Sequence, residues 1–173
     1  HGFLKTGHYQ TLAAVDWKQP PIETLQRRLV NSYGYCSNSI QDKVFHFDIQ
    51  RTDELLHGFQ DENYGEGKGL NSMVGDSSVD LIIGGPPCQA YSVAGRVQDA
   101  NGMKDDYRNY LFESYVKIVD HFKPKFFIFE NVPGILSARP GGYLITDRIR
   151  SSFSDVGYLI TDDLKNTALF DLS

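Results

Sequence analysis

Two stretches fix the reading of this chain: DLIIGGPPCQ at residues 80–89 and KFFIFENVPG at residues 125–134. Each opens with an apolar run, Leu81-Ile82-Ile83 and Phe126-Phe127-Ile128-Phe129, and each breaks into glycine, proline and polar residues. Apolar runs that are continuous rather than alternating are typical of parallel strands covered on both faces. In open α/β sheets the ligand crevice lies beyond the carboxyl ends of such strands, so the polar breaks mark where chemistry belongs. Between the two runs, Leu111, Tyr115, Ile118 and Phe122 recur at three- and four-residue steps, which predicts a helix over residues 109–122. Lys123-Pro124 stops that helix before the next strand.

Working outward, shorter apolar runs predict further strands at residues 11–15, 44–47 and 158–161. Helices are predicted at residues 21–30, with Pro21 in the first turn, and at residues 146–153, leading to the last strand through Gly157. Strands alternating with helices point to an α/β fold, with a mostly parallel twisted sheet and helices on both faces. Residues 61–78 are polar and rich in glycine, and are expected to form a mobile loop. Within them, GEGKG at residues 65–69 lacks the spacing and the following Ser/Thr of a phosphate loop. No internal repeat is visible.

Bulk composition narrows the class. A length of 173 residues suits one domain, and 40% hydrophobic with 13% aromatic residues excludes a disordered tail. No apolar run approaches the ~20 residues of a membrane span, and His1 to Tyr9 lack the pattern of a signal peptide. Two cysteines, Cys36 and Cys88, argue against a disulfide framework and for a reducing intracellular setting. The net charge of -5 weighs against a nucleic-acid binder, whose footprint is usually basic. Overall charge says little about one groove, however.

The candidate chemistry sits at the two strand ends. A cysteine by itself is as readily a small core residue. Cys88 instead follows Gly84-Gly85-Pro86-Pro87, where the glycines let the backbone pass close to a ligand and the prolines stiffen the turn that aims the thiol. Glu130 ends the second run. An acid after four apolar residues is expected to be partly desolvated, and so able to hold and donate a proton near neutral pH; the plainer reading is a loop or helix-cap carboxylate. Together, a thiol and a carboxyl at two strand tips joined by a crossover helix form a pair that neither makes alone.

GGPPCQAYSVAGR at residues 84–96 and FIFENVPG at residues 127–134 resemble the cytosine carbon-5 DNA methyltransferases. DYRNYLF at residues 106–112 and Lys123-Pro124 match as well, and the resemblance runs over most of the chain. It implies a Rossmann-like methyltransferase fold, with residues 1–173 as a partial catalytic core, S-adenosylmethionine as methyl donor and duplex DNA as substrate. Beside it stand the expectations of a monomer acting without metal or membrane in the cytoplasm, on the nucleoid if bacterial, and of a place in a restriction-modification system.

The resemblance assigns roles to particular residues. Cys88 is the expected nucleophile, adding to carbon 6 of a flipped-out cytosine. Glu130 is expected at ring nitrogen 3, and Asn131 with Val132 shapes the pocket. Gln89, Ser92 and Arg96 lie on the loop that meets DNA in the family, and Arg96 suits a phosphate. Asp16 closes a strand at Ala13-Ala14-Val15-Asp16-Trp17, where nucleotide folds place an acid that accepts ribose hydroxyls. Trp17 offers a ring to stack on adenine, and Asp48-Ile49 matches a family pair that meets the adenine ring and its amino group. Gly2, Phe3, Pro86 and Leu111 match further donor-pocket positions, although Leu111 is equally suited to the core.

The family's Phe-x-Gly-x-Gly donor loop would precede His1, and its Gln-x-Arg-x-Arg strand and recognition region would follow Ser173. The chain is therefore expected to be part of a longer protein, whose other parts carry most of the DNA contacts. Three alternatives stay open: an RNA cytosine methyltransferase, a catalytically inactive methyltransferase-like binding module, and a cysteine hydrolase. The last needs a histidine base beside the thiol, and His46, His57 and His121 carry no motif around them. No cysteine-histidine cluster has metal-ligand spacing.

Overall fold

The computed structural model describes residues 2–86 and 111–160 of the chain. The chain forms two compact units, His1–Val79 and Asp80–Ser173.

The first unit is built on a parallel strand pair, β1 (Ala14–Asp16) with β2 (Val44–His46), in register Ala14 to Val44 and Asp16 to His46. Helix α1 (Gly2–Lys5) precedes β1, and α2 (Gln19–Tyr33) crosses over between the strands. Pro20 and Pro21 start α2 where a missing N–H costs nothing, and Gly34, at φ 71°, ends it with its N–H on the Leu29 carbonyl. One face of α2 buries Ile22 and Leu29 against Ile40 and Val44. Leu29 is fully buried, so its truncation to Ala would cost about 2–5 kcal/mol. The short α3 (Ile40–Lys43) leads directly into β2.

Beyond β2, residues 61–78 depart from the expected loop. Helix α4 (Thr52–His57) is followed by an antiparallel hairpin of β3 (Phe59–Asp61) and β4 (Gly65–Gly67), then by α5 (Gly69–Val74). Buried aromatic packing outweighs the polar composition. Phe59 stacks on Phe47 at 4.0 Å between ring centroids, and Leu70 and Val74 are buried. Two of the glycines, Gly67 and Gly69, serve close approach, while Gly65 and Gly75 supply positive φ with open space around them. A side chain at Gly69, which has φ +79°, would stand 2.6 Å from the Leu56 carbonyl oxygen. The turn is closed by Asp61, whose Oδ1 accepts the N–H groups of Asn63 and Tyr64.

The second unit holds the βαβ element that its sequence predicts. Strands β5 (Leu81–Gly84) and β6 (Phe126–Phe129) pair in parallel, Leu81 opposite Phe126 and Gly84 opposite Phe129. Helix α6 (Leu111–Phe122) precedes β6 and α7 (Ile145–Asp155) follows it. Lys123 takes φ 46° and donates its N–H to the Val119 carbonyl, so the chain turns off α6 at the Lys-Pro step. The core gathers Phe112, Tyr115, Val119, Ile145, Ile149 and Phe153, with Ile82, Phe127 and Phe129 of the strands packed against it.

Two expectations change here. The continuous apolar runs are covered on one face, for Ile83, Phe126 and Ile128 are exposed on the other. The strand expected at residues 158–161 is absent from its described part, Tyr158 to Ile160. Tyr158 is used instead as a strut: its hydroxyl donates to the Pro124 carbonyl at 2.6 Å, and its ring meets Phe127 edge-on. Among the described residues the strands form three two-stranded sheets, two of them parallel, in an α/β arrangement.

Candidate active site

The sheet geometry of the second unit brings Gly84, Gly85, Pro86, Glu130 and Asn131 together at the carboxyl ends of β5 and β6. Two hydrogen bonds hold the two tips together, and a side chain lies between them. The Glu130 N–H donates to the Gly84 carbonyl at 2.9 Å, extending the ladder one step past the strands. The Glu130 carboxylate lies over Gly85, where an added Cβ would stand 2.6 Å from Oε2. Asn131 then reaches across: its Nδ2 donates to the Pro86 carbonyl at 3.2 Å, while its Oδ1 accepts the Val132 N–H at 2.9 Å. The amide is thereby fixed at both ends and fastens the loop start at Pro86, two residues before Cys88 in sequence, to the strand end that carries Glu130. Val132 leads into a 3-10 turn, Pro133–Ser137, which buries Ile135.

The paired glycines have separate reasons. At Gly84 an added Cβ would stand 2.7 Å from Cδ2 of Tyr115, and nearer still to Cε2. At Gly85 the neighbour is the Glu130 carboxylate. One glycine admits a buried ring, and the other admits the candidate acid. Glu130 itself is exposed rather than desolvated, because β6 delivers it past the covered face of the strand pair. Cys88, Gln89, Ser92 and Arg96 lie outside the described residues.

Within the first unit, Asp16, Trp17, Asp48 and Ile49 meet at the carboxyl ends of β1 and β2. The Phe47 N–H donates to the Asp16 carbonyl at 3.0 Å, and Nε2 of His46 pairs with the Trp17 carbonyl at 2.7 Å. Both acids sit in tight turns, each through Oδ1: Asp16 accepts the Lys18 N–H at 2.8 Å, and Asp48 accepts the Gln50 N–H at 2.9 Å. A carboxylate offers about four acceptor positions, so these turns orient the groups and leave capacity for a ligand's hydroxyl or amino donors. Trp17 is 54% exposed, and the Lys18 ammonium lies over its ring, 5.3 Å from the centroid.

A neighbouring charge cluster stiffens the Asp48 turn. Arg51 donates its N–H to the Asp48 carbonyl, pairs with Glu54, and reaches Oδ2 of Asp61 at 2.7 Å. Its guanidinium lies 4.9 Å from the Phe47 ring centroid and 5.7 Å from that of Tyr64. The Arg51 hydrogen bonds hold both carboxyls, Glu54 and Asp61, below their usual range.

The remaining candidates are more dispersed. Gly2 and Phe3 open α1, and Phe3 meets Tyr9 edge-on at 5.0 Å. Leu111 is buried as the first residue of α6. Sequence reasoning missed Tyr115 as anything but an apolar helix position, and missed Arg51 entirely. A tyrosine on the core face of a helix should have raised the question, since its hydroxyl must find a partner inside.

The family model for C-5 cytosine-specific DNA methylase matches residues 1–173. Type II methyltransferase M.Bpa9945I of Bacillus paralicheniformis is 56% identical over 84 residues, 49% of this chain and 18% of that protein. Type II methyltransferase M.DdeI of Desulfomicrobium norvegicum is 47% identical over 85 residues, 49% of this chain and 19% of the relative. Orphan methyltransferase M.SPRI of Bacillus phage SPR is 40% identical over 93 residues, covering 54% and 20% respectively. Each match thus spans about a fifth of the curated relative's own length. With the model matching from end to end, this chain belongs to the C-5 cytosine-specific DNA methylase family.

Proposed function

We propose that the protein containing this chain methylates carbon 5 of cytosine in duplex DNA, and that residues 1–173 form part of its catalytic core within a Rossmann-like sheet. The observation that carries the reading is the fastening of the β5 and β6 tips by Glu130 and Asn131. The chemistry needs a nucleophile and a carboxyl held to one base, and these tips lead to Cys88 and bear Glu130. The Type II and orphan methyltransferase names of the relatives support the same reaction, and the Type II names suit a role beside a restriction enzyme.

Carbon 5 of cytosine is too weak a nucleophile to take a methyl group unaided. The Cys88 thiolate adds to carbon 6, and the electron pair displaced from the ring double bond makes carbon 5 nucleophilic. Glu130 places a proton or hydrogen bond at ring nitrogen 3, where negative charge gathers. Carbon 5 would then take the donor's methyl group, leaving S-adenosylhomocysteine, and loss of the carbon-5 proton to a base expels the thiolate and restores the ring. Asn131 keeps the Pro86 turn, and the loop beyond it, in register with Glu130. Because the target base must leave the stack to reach the thiol, Gln89, Ser92 and Arg96 are assigned to the DNA around the opened site.

S-adenosylmethionine, when bound, supplies an electrophilic methyl group. The residues of the first unit suit its adenosine half. Asp16 and Asp48 are turn-fixed acceptors for ribose hydroxyls and the adenine amino group, Trp17 presents an exposed ring, and Ile49 adds apolar contact. The family resemblance also assigns donor binding to Gly2 and Phe3 and, in the second unit, to Pro86 and Leu111. No helix among the described residues is long and apolar enough to cross a membrane. No group of three or more His, Cys, Asp or Glu side chains among them is placed to hold a metal ion. On the family resemblance, and not on those absences, we propose a monomer acting in the cytoplasm without metal.

The test is methyl incorporation from labelled donor by the full-length protein, with duplex DNA and transfer RNA offered in parallel. Label at carbon 5 of cytosine in DNA supports the proposal. Label in RNA alone would replace the substrate, and no label in either would favour an inactive module.

A further inference from the structure

Tyr115 has no part in the reaction as proposed, yet it stands directly beneath the site. It is 4% exposed, and its ring occupies the place where a side chain at Gly84 would point. Phe129, Phe153 and Phe127 surround that ring, with centroids 5.6, 6.1 and 6.4 Å away. The hydroxyl therefore cannot swing aside. It lies 3.1 Å from the Ile82 carbonyl oxygen on β5 and 3.0 Å from the Ile128 carbonyl oxygen on β6.

A phenol has one proton, and a buried phenol needs one acceptor. Here it meets two, one from each strand, and shares its single proton between them as a three-centre bond. Each carbonyl is two residues upstream of a site residue: Ile82 precedes Gly84, which accepts the Glu130 N–H, and Ile128 precedes Glu130 itself. Burial also raises the Tyr115 hydroxyl well above its usual range, so it stays protonated as a donor. The hydroxyl ties, the Gly84 to Glu130 ladder bond and the Asn131 to Pro86 bond form three successive cross-strand links climbing toward the reacting atoms.

We propose that Tyr115 is a positioning residue for methyl transfer: its hydroxyl pins the ends of β5 and β6 at the spacing that lets Cys88 and Glu130 act on one cytosine. This rests on the function proposed above. Misplacing reacting groups by about 1 Å can cost on the order of 100-fold in rate, and the pin acts within two residues of Glu130.

The test uses the full-length protein with Tyr115→Phe, which keeps the ring and its packing. The rate is taken per active enzyme, with active enzyme counted as the amount trapped by fluorocytosine DNA. The expected result is a kcat lower by about 10- to 100-fold with the donor KM unchanged. A merely structural tyrosine would lower the amount trapped and leave kcat per active enzyme at the wild-type value, which would overturn the proposal. A second arm combines Tyr115→Phe with Glu130→Gln. Because the hydroxyl acts partly through the placing of Glu130, the double variant should lose less than the product of the two single losses, whereas fully multiplied losses would overturn the proposal. A wild-type protein that methylates no cytosine would refute the function itself, a result distinct from a Tyr115→Phe variant that keeps full kcat.

Discussion

Gly84→Ala and Gly85→Ala add the same methyl group one residue apart, and the structure gives them opposite consequences. Neither glycine has a positive φ, so alanine strains neither backbone and only the neighbours matter. The methyl at residue 84 would stand 2.7 Å from Cδ2 of Tyr115, whose ring is walled in by Phe127, Phe129 and Phe153. Forcing atoms into a packed core costs about 1–3 kcal/mol. Displacing the ring also strips the Tyr115 hydroxyl of its carbonyl partners, about 1–3 kcal/mol more. The predicted loss of stability is the sum, about 2–6 kcal/mol.

At residue 85 the nearest atom is Oε2 of Glu130 at 2.6 Å, the far end of an exposed side chain. The carboxylate can swing away, leaving only the Glu130 carbonyl oxygen at 3.3 Å to give slightly, so stability should change by no more than about 1 kcal/mol. The carboxyl is then no longer aimed at the base, and methyl transfer should fall by roughly 100-fold, the scale of a lost general acid. Urea unfolding and initial methylation rates of the two full-length variants separate the effects. A Gly84→Ala variant as stable as wild type, or a Gly85→Ala variant with the wild-type rate, would refute the assignment of the paired glycines.

Glu130→Gln keeps the shape of the side chain and removes its acidic proton, so turnover should drop by about 100-fold or more; unchanged initial rates would make Glu130 structural. Asn131→Ala removes the bond to the Pro86 carbonyl. Urea unfolding should show a loss of about 1 kcal/mol, with a larger proportional loss of methylation than of donor binding; equal losses would deny Asn131 its fastening role. Glu54 and Asp61 are held below their usual values of 4.5 and 3.8 by Arg51, so their contribution to stability is present above those values and lost as pH falls through the lowered ones. The unfolding midpoint of wild type relative to Arg51→Met should therefore hold steady between pH 7 and about pH 5 and shrink in more acid solution. A difference that widens on acidification contradicts the pairing.

The βαβ element around the site was legible because each signal was local. Residues 126–129 form β6 as their apolar run predicts, and the helix before it ends at Phe122 ahead of Lys123-Pro124. Strand ends were less legible: β1 runs from Ala14 to Asp16 rather than from Thr11, because the Thr11 N–H is taken by the Tyr35 hydroxyl. Residues 61–78 depart from the expected loop since their glycines signal flexibility in sequence, while in space Gly67 admits the Phe59 ring and Gly69 neighbouring backbone. The placing of Asp16 near Asp48, and of Glu130 near Pro86, follows from parallel pairing and motif order. The exposure of Glu130 and the double tie of Tyr115 depend on which face of each strand the helices cover, and no local pattern encodes that.

The central claim is a covalent step at Cys88, and one measurement reaches it directly. Fluorine at carbon 5 cannot leave as a cation, so an enzyme that adds its thiol to carbon 6 stays bonded to the base after methyl transfer. Full-length protein is incubated with donor and duplex DNA carrying fluorocytosine at the target, then run on a denaturing gel and mapped by mass spectrometry. The account predicts a donor-dependent protein–DNA adduct on the peptide containing Cys88, absent in Cys88→Ala. An active enzyme that methylates ordinary DNA yet yields no adduct, or one that keeps turning over as Cys88→Ala, would contradict it.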